Sequence, residues 1–241
     1  MGEQTTNDFF NKNSQYLKTD ENEEWTEVGT AITNTTPGSI SNVIINTTPI
    51  CPNVSNKEFR KEVMRARDAG VSLIKERIAA VARWDAKERD RAEIYFARAD
   101  EEIRSTLAAG LPRLLAAMQE LVPEKIVRWD SELNRSLTCT VALDSGDNHA
   151  AVCKPDSQKR VIAIYSKFCN ISYGELFHEC KIKTLIHECT HYTNTFNSID
   201  EVYADTESGA KYFAKNHPDL AIRNADNITG YIATFDGRNI R

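Results

Sequence analysis

A chain of 241 residues, 27% of them charged and with a formal net charge of −5, is long enough for one well-cored domain, or one domain with a tail. The acidic balance excludes the basic footprint of a nucleic-acid-binding protein. No apolar run approaches the length of a membrane span, and the N-terminus lacks the basic region and apolar core of a secretory signal peptide.

Residues 1–50 are rich in Asn, Thr, Glu and Ser and read as a flexible tail, a delivery or propeptide-like segment ahead of a domain over 51–241. Within that tail, Phe9-Phe10 and Val43-Ile44-Ile45 are short pieces able to dock. From Ser55, Phe59, Val63, Ala66, Gly70, Leu73, Ile74, Ile78 and Val81 recur at three and four residues, which predicts a long amphipathic helix ended by Trp84-Asp85. A second helix is expected over 86–97, anchored by Ile94, Tyr95 and Phe96. A third begins near Asp100 and carries Ile103, Leu107, Leu111, Leu114, Met118 and Leu121 on one stripe. Pro112 is expected to kink or divide it, and Pro123 to stop it. Residues 126–169 turn to strand-like runs, Leu137 to Leu143 and Arg160 to Tyr165. His149 falls in a surface loop and His178 lies ahead of the next helix.

That helix carries His187-Glu188-Cys189-Thr190-His191, an HExxH pattern. Histidines four residues apart project from one helical face, one turn apart, and offer Zn²⁺ two nitrogens. Glu188 is turned about 100° round the same helix, placed to take a proton from water activated at the metal. Ile182, Leu185, Ile186 and Cys189 fall on the opposite, core-facing side. Catalytic zinc takes three protein ligands, and the position six residues after His191 is Asn197 rather than a histidine. Asp200 and Glu207 are the carboxylates available. Beyond them, 201–215 reads as a helix, His217 as a capping residue, and Pro218 to about Phe235 as a last helix. Six cysteines without CxxC spacing suit disulfides rather than a structural zinc cluster, and their connectivity does not follow from spacing.

Asn197-Ser198-Ile199-Asp200-Glu201-Val202-Tyr203-Ala204 resembles the GTxDxxYG motif of the aspzincins, the deuterolysin and peptidyl-lysine metalloendopeptidase group. It matches at Asp200 and Tyr203 and departs at Asn197, Ser198 and Ala204; Asn224-Ala225-Asp226-Asn227 is a second family-like stretch, and the likeness covers about 51–235. The resemblance implies an α+β, mostly helical, zincin-like fold with an upstream helical bundle and a small antiparallel sheet. It implies a zinc metalloendopeptidase acting on protein or peptide, with one Zn²⁺ on His187, His191 and Asp200. Glu188 would be the general base and Tyr203 an oxyanion donor. Asp226 would select a basic side chain, with Thr229 where lysine-specific members have a second acid. It further implies the disulfides Cys51–Cys139 and Cys153–Cys169, with Cys180 and Cys189 outside them. Zinc peptidases lay substrate along an edge strand, for which Val161–Tyr165 or its neighbour is the candidate. With no signal peptide read, a secreted effector or toxin guarded by a cognate inhibitory (immunity) protein is the expected context. The competing readings are a binding module that holds zinc poorly and a zinc amidase acting on cell-wall peptide.

Overall fold

The computed structural model describes residues 24–32, 40–204, 206–233 and 240. The chain forms two compact units, Met1–Phe59 and Arg60–Arg241. In the first, β1 (Glu24–Ile32) and β2 (Ile40–Thr47) pair antiparallel, with an irregularity between Glu27 and Gly29. Regular pairing thus occupies part of the stretch read as tail, and Val43–Ile45 belongs to β2; Phe9-Phe10 lies outside the described residues.

Helix α1 (Asn56–Arg83) starts at Ser55, whose Oγ accepts from Glu58 N–H at 3.2 Å and donates to the Glu58 carboxylate at 2.9 Å. It stops where Trp84 turns left-handed (φ 48°). Asp85 caps α2 (Ala86–Phe96) and Asp100 caps α3 (Glu101–Glu120), each through its own carboxylate. Helix α3 runs through Pro112 as one element. Leu107, Leu111, Leu114 and Met118 lie on both sides of the proline and are wholly buried, so a single packing surface holds the two halves together.

Of the expected strands, only the second survives. β3 (Ile126–Arg128) runs parallel to β5 (Ile162–Ile164), and β4 (Ala150–Val152) pairs antiparallel on the far side of β5. The sheet is therefore mixed, in the order β3-β5-β4; β5, within the expected edge stretch Val161–Tyr165, is central, and β3 and its neighbour β4 are the two edges. Residues Leu137–Leu143, after the short helix α4 (Glu132–Arg135), form no strand. Their donors go to side chains instead of a ladder: Thr138 N–H to Asp156 Oδ2 (2.6 Å) and Cys139 N–H to Cys153 Sγ (3.2 Å).

Cys139 is disulfide-bonded to Cys153, so neither expected pairing stands. Both cysteines adjoin the cluster of Leu137, Val161, Val127 and Leu133, which brings them together across the loop they close. Cys51 and Cys169 are likewise disulfide-bonded, while Cys180 and Cys189 are buried free thiols. No Lys or Arg lies between Cys139 and Cys153, so trypsin leaves the bridge inside one peptide. A non-reducing digest cut at Asp144 or Asp147 is expected to yield two fragments joined until thiol is added. Separate fragments before reduction would disprove the bridge.

The C-terminal half supplies α5 (Lys181–His191), α6 (Glu207–Asn216), α7 (Pro218–Ala221) and α8 (Ala225–Ala233). Helix α5 packs against α3, α8 and β4, and α2 against α6 and α8. A buried polar network ties α8 to the helical bundle. Glu88 accepts from Arg77 (2.9 Å) and from the Tyr231 hydroxyl, and Arg91 donates to the Tyr231 carbonyl (2.7 Å). Asn227 Nδ2 donates to the carbonyls of Tyr95 and Ala210. A Cβ on Gly230 would collide with the Tyr95 ring, so glycine lets α8 sit this close to α2.

Two helix boundaries differ from expectation. The helix predicted from 201 begins only at Glu207, capped by Thr206, which leaves Tyr203 in irregular chain. The last helix is interrupted between α7 and α8, because its backbone there serves another segment. Ile199 N–H donates to Arg223 O (2.9 Å) and Ala225 N–H to Ile199 O (3.0 Å).

Candidate active site

On α5, Ile182, Leu185, Ile186 and Cys189 have no exposure. The opposite face turns His187, Glu188 and His191 into a cleft of about 680 Å³. Lining it with them are β4, the loop before β4, Glu179, Thr184, Ser198, Asp200, Tyr203 and Asp226.

Asp200 Oδ1 lies 3.2 Å from His187 Nε2 and 3.4 Å from His191 Nε2, and the two rings meet edge to face at 4.9 Å. A tetrahedral ion bound at zinc–nitrogen and zinc–oxygen distances holds its donors about 3.3 Å apart; Asp200 Oδ1 stands at that spacing from both nitrogens, and all three atoms lie within 4.8 Å of one another, as a zinc site needs. The far ring nitrogens are also engaged. His187 Nδ1 meets Asp226 Oδ1 at 2.6 Å, and His191 Nδ1 meets Ser198 O at 3.1 Å and Ser198 Oγ at 3.2 Å. Acceptors at Nδ1 favour the proton there, so that a neutral ring turns its Nε2 lone pair to the cleft.

The turn after α5 places Asp200. Thr195 Oγ1 donates to the Cys189 carbonyl (2.7 Å), Ser198 N–H donates to Thr190 O (3.1 Å), and the two hydroxyls of Thr190 and Ser198 bond at 2.7 Å. Asn197 is left-handed (φ 54°), a conformation asparagine tolerates and one that accounts for glycine in the motif it resembles. Ser198 supplies the hydroxyl that threonine would, so both departures keep the turn's chemistry. On α3, Gly110 gives room for the Phe196 ring, which a Cβ would strike. Beyond Asp200, the Asn224 side-chain oxygen accepts from Glu201 N–H (3.0 Å) and Val202 N–H (3.2 Å). Asp200 is thus held from both sides.

The remaining expected residues fall in different places. Tyr203 lines the cleft and is largely exposed. Asp226 reaches the cleft, but its oxygens hold His187 Nδ1 and, at 2.6 Å, Ala204 N–H. It therefore orients a histidine while lining the cleft. Thr229 is buried inside α8 and is not among the residues lining the cleft. Glu207 opens α6, also away from the cleft. His149, read as a surface residue, lines the cleft beside β4. His178 stays exposed, and His217 ends α6 with its N–H on Phe213 O. Sequence motifs include Ser198 and Asn224 without a role for either, and omit Glu179; the Asn224 contacts span more than twenty residues.

Burial drives the Glu188 carboxyl up to about 7, against the pull of His187 and with the push of Asp200, Glu179 and Asp226. Burial disfavours charge on His187 too, but its bonds to Asp200 and Asp226 prevail and raise it well above the usual imidazole value. His191 is lowered by burial and by the charge of His187. Asp200 and Asp226 lie below the ordinary carboxylate value, since their bonds to His187 overcome burial.

A family profile described as lysine-specific metallo-endopeptidase, the aspzincin family, matches residues 81–233. The chain is an aspzincin. As a member of that family it is a zinc metalloendopeptidase, and its substrate is protein or peptide. Its fold is similar to a zinc peptidase from Grifola frondosa, at 18% identity and a TM-score of 0.56, over 73% of this chain and 94% of that one. A search of curated proteins returned no match. For this aspzincin, no helix among the described residues is long and apolar enough to cross a membrane.

Proposed function

We propose that His187 Nε2, His191 Nε2 and Asp200 Oδ1 hold one zinc ion per chain, and that Glu188 is the general base and then the general acid of peptide hydrolysis. The main support is the convergence of those three atoms, 3.2 and 3.4 Å apart at the shared oxygen, in one cleft with Glu188. When bound, zinc polarises the scissile carbonyl and acidifies the attacking water. The Glu188 carboxylate takes the proton from that water. Its buried position favours the neutral acid so formed, which then passes the proton to the departing amide nitrogen. Tyr203 donates its phenolic proton toward the oxygen that gains charge. An extended substrate adds its backbone along the free edge of β4.

Substrate choice follows from the acids in the cleft. Glu179 is half-buried there, its Oε1 accepting from the Thr184 hydroxyl at 3.2 Å, and Asp226 lines the same cleft. A lysine beside the cleaved bond suits this wall better than a neutral residue. The chain is expected to digest casein, to stop with a chelator and to recover with zinc. It is also expected to prefer a lysine peptide to its norleucine counterpart by roughly tenfold, a gap that Glu179→Gln narrows. Equal cleavage of the two peptides would end the lysine reading alone. Release of peptide from purified peptidoglycan, with casein intact, would move the activity to amidase.

The oxidised cysteines fit work outside a reducing cytosol. In this proposal residues 1–50 are a delivery or propeptide-like segment, the chain is an exported effector, and a cognate inhibitory protein guards its producer. Native protein isolated with six free thiols would sink that placement.

A further inference from the structure

Lys154 follows Cys153 directly and opens the 3-10 turn over 154–159 that leaves the edge strand β4. Its ammonium crosses to the turn after α5, donating to Asn197 O at 3.1 Å and Ser198 O at 2.8 Å. Ser198 O is the same atom that accepts from His191 Nδ1–H at 3.1 Å. Two residues further on is Asp200. One cation therefore touches the carbonyl that sets the His191 proton and the turn that presents the third carboxylate. Its own backbone continues the strand along which the substrate is proposed to lie.

We infer that Lys154 is a positioning residue that ties the substrate-bearing edge strand to the metal-holding turn; this rests on the ligand set proposed above. Two carbonyl dipoles converge on the ammonium, beside an asparagine in a left-handed conformation. Without the cation those dipoles lose their shared donor, and the turn loses what orders it from the cleft side. Ser198 O would then be held by His191 alone. Because the strut starts at the end of β4, strain from a misplaced substrate and strain at the metal reach one another through a single side chain. Arginine has the charge and the paired donors to serve both carbonyls; methionine fills similar space with neither.

The test is zinc affinity in the full chain, measured by chelator competition on Lys154→Met and Lys154→Arg, with the visible spectrum of cobalt-substituted protein as a second readout. Lys154→Met is expected to weaken zinc by roughly 10–100-fold, as loss of a partner behind a metal ligand does, and to shift the cobalt bands. The expected kinetic effect is a lower kcat with KM little changed. Lys154→Arg should recover most of the zinc affinity. Should Lys154→Met fail to fold, Lys154→Gln, which can serve only one carbonyl well, is expected to lie between wild type and that loss. Wild-type zinc affinity and cobalt spectrum in folded Lys154→Met or Lys154→Gln overturn the inference, as does an arginine variant damaged as badly as methionine. Asp200→Ala, run alongside, separates the failures: full zinc retention there overturns the ligand set itself, whereas zinc loss there with none in Lys154→Met overturns only the strut.

Discussion

Glu188→Gln is expected to cut peptide hydrolysis by roughly 10²–10⁴-fold while leaving zinc content unchanged. The carboxylate lies in the cleft but not in the triad of converging donors, so removing its basicity takes away the proton acceptor and spares the metal. Turnover near wild type would remove Glu188 from the mechanism. The same variant has a second signature in protein stripped of metal. The folded carboxyl sits at about 7, above its ordinary value. A raised value means the stability of the neutral acid is complete below about pH 4.5 and is lost as pH rises through about 7. Glutamine stays neutral throughout. Between about pH 5 and about pH 8, urea melts should therefore show the variant gaining on wild type by on the order of 2–3 kcal/mol. A gap that does not change with pH would mean Glu188 is not titrating in that window.

Asp200→Ala is expected to weaken zinc by at least about 10²-fold, whereas Glu207→Ala leaves metal content nearly unchanged. Asp200 Oδ1 is the atom on which both imidazoles converge. Glu207 begins α6, beyond the Asn224 clamp and off the cleft wall. Asp200→Glu should be only partly active, because the longer arm moves the carboxylate within a site of tight distances. Zinc stoichiometry on the three purified variants decides it. Full retention in Asp200→Ala with loss in Glu207→Ala would overturn the assignment.

What could be read from sequence was what local periodicity writes. The stripe through Leu107, Leu111, Leu114 and Met118 foretold α3, and the i,i+4 spacing of His187 and His191 foretold a shared face. Pro112 does not divide the helix, because packing on both sides outweighs one missing hydrogen bond. Leu137–Leu143 looked like a strand by composition, yet its donors are taken by Asp156 and Cys153, and strand pairing is a property of partners. The bond between Asp226 and His187 is not legible in sequence, because its partner is 39 positions away and no local pattern announces such a contact. The role of Asn224, though its stretch is family-like, is hidden for the same reason: it holds a turn more than twenty residues upstream.

The edge strand β4 is only three residues long. Such a short edge can offer a passing chain no more than a few backbone hydrogen bonds, each contributing about 0.5–1.5 kcal/mol net. In the proposed binding mode, backbone capture alone gives only loose, quickly reversed association, and a chain cut this way is expected to be locally unravelled first. Cleaved ends should leave fast, so release is not expected to limit turnover. The same brevity protects the enzyme from itself, since an edge this short is a poor template for another copy to extend into a growing sheet.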